Sequence, residues 1–105
     1  MINLSGVKGY VHKETIADGN NGETIFFHPL GNKTGYVGCT IISSGSTGKF
    51  EYSTSPIEDH EDGTETWIGA WPKGEVTTTS SDAIGDCTAV RGVSISGEIN
   101  IEVVI

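Results

Sequence analysis

The densest group of chemically useful side chains lies in residues 55–71, "SPIEDHEDGTETWIGAW", which hold five acidic residues, His60 and both tryptophans. A calcium loop places its oxygen ligands at alternating positions, whereas the acids of residues 58–62 are consecutive, so neighbouring side chains diverge. A zinc site needs two or more His or Cys at ligand spacing, and His12, His28 and His60 are dispersed. We therefore predict no bound metal and interpret residues 58–62 as a charged, solvated hairpin tip.

Motifs of nucleophilic catalysis and of nucleotide binding are absent from the chain. It has no G-x-S-x-G, no Ser, His and Asp spaced as a triad, and neither a P-loop nor a G-x-G-x-x-G. The loop "DGNNGE" at residues 18–23 departs from the calcium-loop pattern and is interpreted as a glycine-rich turn. Glycosidase carboxylates face each other across a cleft, for which one acidic loop is a poor substitute. We expect no enzymatic activity and no cofactor.

The two tryptophans are the remaining candidates for ligand binding. In a predicted strand "TETWIGAW", Trp67 and Trp71 lie on the same side, where exposed rings could stack on a sugar. A small domain also needs large side chains for its core, and we favour core or subunit interface over ligand. Arg91, the only arginine, could pair with an acid, stack on a tryptophan or mark an interface. The candidate interface residues are Trp67, Trp71, Arg91, Tyr10 and His12.

The composition excludes several classes of partner. The 105 residues make one domain, and a net charge of −8 disfavours binding to a phosphate backbone. No basic amphipathic helix is present to hold a membrane surface, and "MINLSGVKGYVHKE" lacks the features of a signal peptide. We therefore expect synthesis in a cytoplasm, with Cys39 and Cys87 as reduced, buried thiols. A disulfide between them would need Cα atoms within about 7 Å.

The elements that must position these residues are strands, because apolar residues alternate and never follow helical spacing over a useful length. "CTAVRGVSI" and "INIEVVI" are predicted to form a C-terminal hairpin around the turn "SGE" at residues 96–98. Residues 35–43 and 48–55 are predicted as two strands joined by the loop "SGSTG". Residues 64–71, the stretch "EVTTTS", "GVKGYVHKETI" and "TIFFHP" supply the others, with a turn at residues 30–35.

About seven short strands at this spacing predict an all-β fold, specifically a single antiparallel β-sandwich of jelly-roll or immunoglobulin-like type. One domain spans residues 1–105. Residues 1–34 are the less regular N-terminal arm and strands, and residues 35–105 supply the core hairpins.

Residues 48–105 also resemble a short β-domain of tailed-bacteriophage structural proteins. The resemblance is carried by "GKFEYSTS", by "DGTETW", by W-P-x-G at residues 71–74 and by "TAVRGVSISGEINIEV". It implies a non-enzymatic virion protein assembled in the host cytoplasm, most naturally a capsid decoration or cement protein. Its partner would be the major capsid protein, which it would bind on the capsid surface as a homotrimer or other homo-oligomer.

Three alternatives stay open at this point. Two are other virion components, a head–tail connector or a fibre-base protein. The third is a carbohydrate-binding β-sandwich module that uses Trp67 and Trp71. For a decoration protein, strand addition by residues 1–16 onto a capsid edge strand is an expected mode of contact.

Overall fold

The computed structural model describes residues 1–5, 7, 9–27, 36–69 and 71–105. These residues form seven strands and one short helix, with turns and loops between them. The strands are β1 (Ile2–Asn3), β2 (Val11–Ile16), β3 (Ile25–Phe26), β4 (Val37–Ser53), β5 (Val76–Ile84), β6 (Ala89–Ser96) and β7 (Ile99–Val104), and the helix is α1 (Ile57–Asp62). The predicted turn at residues 30–35 lies outside the described residues, as do Pro29 and His28.

The all-β prediction is confirmed, and the strands form one curled sheet, an open half-barrel, in place of a clear two-sheet sandwich. β6 and β7 lie end to end along one side of β4, and β5 lies along its other side. β3 and then β1 follow beyond β6, and β2 follows beyond β7. The β1–β3 pair is parallel and the other strand pairs are antiparallel. Because no second sheet of described residues packs against it, the apolar side chains on each face of such a sheet must be buried by other parts of the chain.

The long central strand β4 explains the single sheet. Residues 35–43 and 48–55 were expected as separate strands, but the chain continues through the predicted "SGSTG" loop as one strand of 17 residues. Its register against β5 shifts between Ile41 and Ser44 and again between Ser44 and Gly48, and Gly45 has a φ of 97°. These bulges bend β4 without ending it, so both halves of the fold share one strand.

The predicted C-terminal hairpin is wrong in its pairing, although both of its strands exist. β6 and β7 each pair with β4, as in Lys49 with Val93 and Ile41 with Ile101, and not with each other. The turn at residues 96–98 is therefore a kink between two strands that run along the same side of β4. Gly97 makes this kink with a φ of 81°, and a side chain there would collide with Ser46.

The N-terminal strands belong to the same sheet. β1 pairs with β3, and β2 pairs with β7 along its whole length, from Val11 opposite Val104 to Ile16 opposite Ile99. β2 is an edge strand, so strand addition by residues 11–16 would have to use the side of β2 that faces away from β7. The expected contact of residues 1–16 with a capsid strand stays a prediction.

The core lies on the inner, concave face of the sheet. Alternate residues of β4 and β7 point inward and are buried, with Phe50 fully buried beside Trp71. The inner-face core comprises Leu4, Ile16, Ile25, Phe27, Val37, Cys39, Ile41, Phe50, Trp71, Ile84, Cys87, Val90, Ile99, Ile101 and Val103. Period-two alternation in the sequence therefore identified the buried face correctly where the strands are regular.

The acidic stretch forms helix α1 and not the expected hairpin tip. Pro56 immediately precedes the helix, two of its acids occupy the first turn, and Gly63 ends it in the left-handed conformation with its N–H bonded to the Asp59 carbonyl. All three features favour a short helix. No helix in the described part of the chain is long and apolar enough to cross a membrane.

The predicted strand at residues 64–71 is reduced to a single bridge. Tyr52 and Ile68 exchange two main-chain hydrogen bonds of 3.0 and 2.7 Å. Trp67 precedes this bridge and Trp71 lies beyond residue 70, which is not among the described residues. The expected alternation over this stretch therefore fails, with consequences for the two tryptophans.

Candidate functional site

Helix α1 and Trp67 cover one end of the outer, convex face of the sheet, which we call the covered end. Phe26 and Ala89 lie side by side on this face, opposite the inner core. The His60 ring packs edge-on against both Phe26 and Trp67, with ring centroids 5.6 and 5.5 Å apart. The helix thus turns its buried histidine toward the sheet, while Glu58, Glu61 and Asp62 are exposed.

Arg91 completes the covered end with a dense set of charged contacts. Its guanidinium carbon lies 4.2 Å from the centroid of the Trp67 ring. Its Nε donates to Glu51 Oε1 at 2.9 Å, and one terminal nitrogen forms an ion pair with the same oxygen at 2.8 Å. Lys49 Nζ lies 3.6 Å from Glu51 Oε2. Two of the three expected roles, pairing with an acid and stacking on a tryptophan, therefore occur together.

His60 has an unusual environment for a polar residue. Its side chain is almost fully buried, and neither ring nitrogen has a hydrogen-bond partner. The Glu65 carboxylate is 3.4 Å from Nδ1, which is close enough for an ion pair but not aligned as a hydrogen bond. The imidazole therefore serves mainly as a small aromatic ring between Phe26 and Trp67.

The two tryptophans do not share a face, contrary to the sequence prediction. Trp67 is half-buried on the outer face, against Arg91. Trp71 is only 3% exposed and packs edge-on against Phe50 on the inner face, with centroids 5.2 Å apart. Their rings therefore lie on opposite faces of the sheet. Neither ring is presented as part of a flat platform for a sugar.

The other two candidate interface residues differ from each other. His12 is buried, and its Nε2 lies 3.0 Å from Glu14 Oε1. The same carboxylate accepts the Glu23 N–H, so this group holds the loop at residues 18–23 against β2. Tyr10, in contrast, is 41% exposed. No described contact joins either residue to the cluster around Arg91.

The cysteines are buried free thiols on the inner side of the fold. Burial is the main cause that raises the pKa of Cys39 far above its usual value, and the neighbouring Cys87 and Asp82 add to it. Burial, followed by Asp86, raises the pKa of Cys87 to about 12. Since the thiolate is the reactive form, both thiols are inert in the folded protein near neutral pH.

The described residues offer no obvious catalytic or metal centre. None of their His, Cys, Asp and Glu side chains form a group of three or more that could hold a metal ion. An open groove of about 320 Å³ crosses the outer face of β2, β7 and β4. It is lined by Lys13, Glu14, Thr15, Ile42, Asn100, Ile101 and Glu102. The groove is open to solvent, and its lining combines charged, polar and aliphatic side chains.

The groove belongs to the uncovered part of the outer face, which we call the bare end. Here Val11 and Val104 lie side by side and are exposed, followed across the sheet by Gly38 and Ala83. Tyr36, 68% exposed, lies against Gly85. Sequence alternation assigned residues to the two faces but could not tell which part of the outer face the chain itself would cover.

Comparisons with known proteins add little to this description. No family model matches the chain, and no curated protein matches it. Among solved structures, one similar chain comes from Bacillus endospore appendages, described as a novel family of disulfide-linked pili. It is 12% identical, the match covers 94% of this chain and 90% of that one, and the TM-score is 0.37. Similarity at this level supports no conclusion about function.

Proposed function

We propose that this chain is a non-enzymatic virion structural protein that binds and stabilises the major capsid lattice of a tailed bacteriophage as a decoration protein. The observation that carries the proposal is that the side chains best suited to ligand binding or catalysis make structural contacts within the domain. Trp71 fills the core, and Trp67, His60 and Arg91 hold α1 against the sheet. What remains accessible is a convex sheet surface with the exposed side chains Val11, Val104 and Tyr36, which suits contact with another protein. The phage assignment itself rests on the resemblance of residues 48–105.

The mechanism is energetic. A copy that contacts two capsid subunits must be released, or its contacts broken, before those subunits separate, so binding raises the stability of the assembled lattice. Many copies on one lattice add their contributions, since each binds an already organised site. The net charge of −8 favours a capsid surface with basic patches, and added salt should weaken this attraction.

Capsids of the phage that encodes the chain provide the test. Purified protein is mixed with expanded capsids, the mixture is sedimented, and the capsid melting temperature is measured with and without the protein. We expect co-sedimentation at saturation and a higher melting temperature. Failure to co-sediment, together with absence from purified virions, would overturn the proposal.

Copy number separates decoration from the other virion roles. A decoration protein should saturate at hundreds of copies per capsid, whereas a head–tail connector or fibre-base component should be present at a dozen or fewer. Quantitative mass spectrometry of virions, with the major capsid protein as the internal standard, gives this ratio directly.

A further inference from the structure

The edge strand β5 is a regular strand with one side unoccupied by any described residue. Over its nine residues it pairs with β4 alone. The bulges in this pair lie on β4: two β4 residues stand between the partners of Ser80 and Thr78, where β5 has only Thr79. Successive side chains of β5 therefore point to alternate faces of the sheet along the whole strand. Its free side offers an unbroken row of main-chain donors and acceptors.

The sequence of β5 lacks the devices that usually block a sheet edge. It reads "VTTTSSDAI", with β-branched residues, no proline, no basic residue and Asp82 as its only charge. Residues 77–79 are exposed in succession, so both faces of the strand are open there. The opposite edge strand β2 carries His12, Lys13 and Glu14 within six residues. Long uncharged edges are templates for strand pairing.

Two side chains of β5 bond to main-chain groups of the same strand. The Ser80 hydroxyl donates to the Thr78 carbonyl at 3.1 Å, and the Asp82 carboxylate accepts the Ala83 N–H at 2.8 Å. Local side-chain bonds of this kind compete with ladder bonds and are readily exchanged for a neighbouring main chain. In a regular strand the Thr78 carbonyl and the Ala83 N–H point to opposite sides, so one of these two groups lies on the free side of β5.

We infer that β5 pairs antiparallel with β5 of a second copy of this chain, about a two-fold axis through Ser80. An antiparallel pair of identical strands must be compatible with itself, residue by residue. In this register Val76 lies opposite Ile84, Thr77 opposite Ala83, Thr78 opposite Asp82 and Thr79 opposite Ser81. The apolar ends meet, hydroxyl-bearing residues meet in the centre, and no like charges face each other.

Charge excludes one of the alternative registers. Centring the axis on Asp82 would place two carboxylates face to face, which is unfavourable. With the axis at Ser80, each Asp82 faces the hydroxyl of Thr78 in the other copy. The two Asp82 residues are then four positions apart, about 14 Å, which exceeds the screening length of about 8 Å at physiological salt.

The dimer does not depend on the proposed function, because it needs only the purified chain. Edge pairing alone is a small interface, so a reversible, concentration-dependent equilibrium is expected. Each copy carries a net charge of −8, so raising the ionic strength should strengthen the dimer. Pairing of β5 with a basic strand of another protein would respond to salt in the opposite sense.

The test uses opposite charges at one exposed position. Thr78→Lys places an ammonium opposite Asp82 of the second copy, twice per dimer, and should lower the dimer Kd about fivefold. Thr78→Glu places like charges there and should raise the Kd by a similar factor. Thr64→Lys and Thr64→Glu, at an exposed site just after α1, make the same changes in net charge away from β5. Sedimentation equilibrium over a concentration series gives each Kd, with circular dichroism as the check on folding.

Opposite shifts at Thr78 with little response at Thr64 would support the β5 dimer. A wild-type chain that stays monomeric throughout the series, at low and at high salt, would overturn it. Equal effects of the same charge at Thr78 and Thr64 would also overturn it, since only net charge would then matter. A dimer that tolerates both Thr78 variants would lie elsewhere, with the bare end as the next surface to test.

Discussion

The two ends of the outer face differ in whether other parts of the chain cover them. At the covered end, α1 and Trp67 bury Phe26, and Arg91 bonds Glu51 beneath the Trp67 ring. At the bare end, Val11, Val104 and Ala83 lie on the same face without cover from any described element. The sheet is continuous between them, so the difference arises from what lies on top.

This difference should separate the side chains that stabilise the fold from those that are accessible for binding. The described residues form one short helix, which lies over the half of the sheet where Phe26 and Ala89 point outward. Side chains at the covered end should therefore contribute strongly to folding. Side chains at the bare end should contribute little to folding and more to binding.

The largest expected contrast is between an aromatic residue at each end. Trp67→Ala removes the ring that packs against both His60 and Arg91, and should lower the free energy of unfolding by about 2–3 kcal/mol. Tyr36→Ala, at an exposed position, should change it by less than about 0.5 kcal/mol. Urea unfolding monitored by circular dichroism measures both. Equal losses would mean that the bare end is buried in solution.

The Arg91–Glu51 pair gives the next contrast. Arg91→Gln leaves the Glu51 carboxylate partly buried beside Lys49 alone and should cost about 1–2 kcal/mol. Lys13→Gln, in the bare groove, should cost about 0–0.5 kcal/mol. A double-mutant cycle with Glu51→Gln isolates the coupling, which should be at least about 0.5 kcal/mol. A coupling near zero would reduce Arg91 to a packing residue.

Physical causes separate what the sequence could predict from what it could not. Alternation identified the inner face, since Ile99, Ile101 and Val103 are buried as expected. It could not distinguish a hairpin from two strands that follow one bent neighbour, because the same glycine kink fits both. The acidic stretch was assigned by its charge, although Pro56 and Gly63 mark the two ends of a helix. The pairing of Arg91 with Trp67 depends on long-range register, which no local pattern specifies.

The pH dependence of stability tests whether the inner face beneath the bare end is shielded from solvent. Cys39 lies between Asp82 and Val103 in the sheet, under the bare end. Because the folded pKa values of both thiols lie above the ordinary value of 9.0, the unfolded chain releases protons first as pH rises. The contribution to stability is therefore fully present below pH 9 and falls above it, by up to about 1.4 kcal/mol per pH unit for each thiol.

Replacement of both thiols isolates this effect. Between pH 9 and pH 11, the double variant Cys39→Ala with Cys87→Ala should lose less stability than the wild-type chain, because it has no thiols to ionise on unfolding. Thiol labelling of the native chain near neutral pH should be limited by unfolding. Rapid labelling would show that the inner face beneath the bare end is open to solvent.

The smallest expected effect is a change in stability whose sign is more informative than its size. The buried His60 has two ring nitrogens without hydrogen bonds, so His60→Phe should keep the contacts with Phe26 and Trp67 while removing that penalty. We expect a gain in stability of about 0.5–1 kcal/mol. His12→Phe is the matched control, because His12 is buried but bonded to Glu14, and its loss should destabilise. If His60→Phe also destabilises, the contact of His60 with Glu65 contributes to folding, and the covered end is held by charge as well as by aromatic packing.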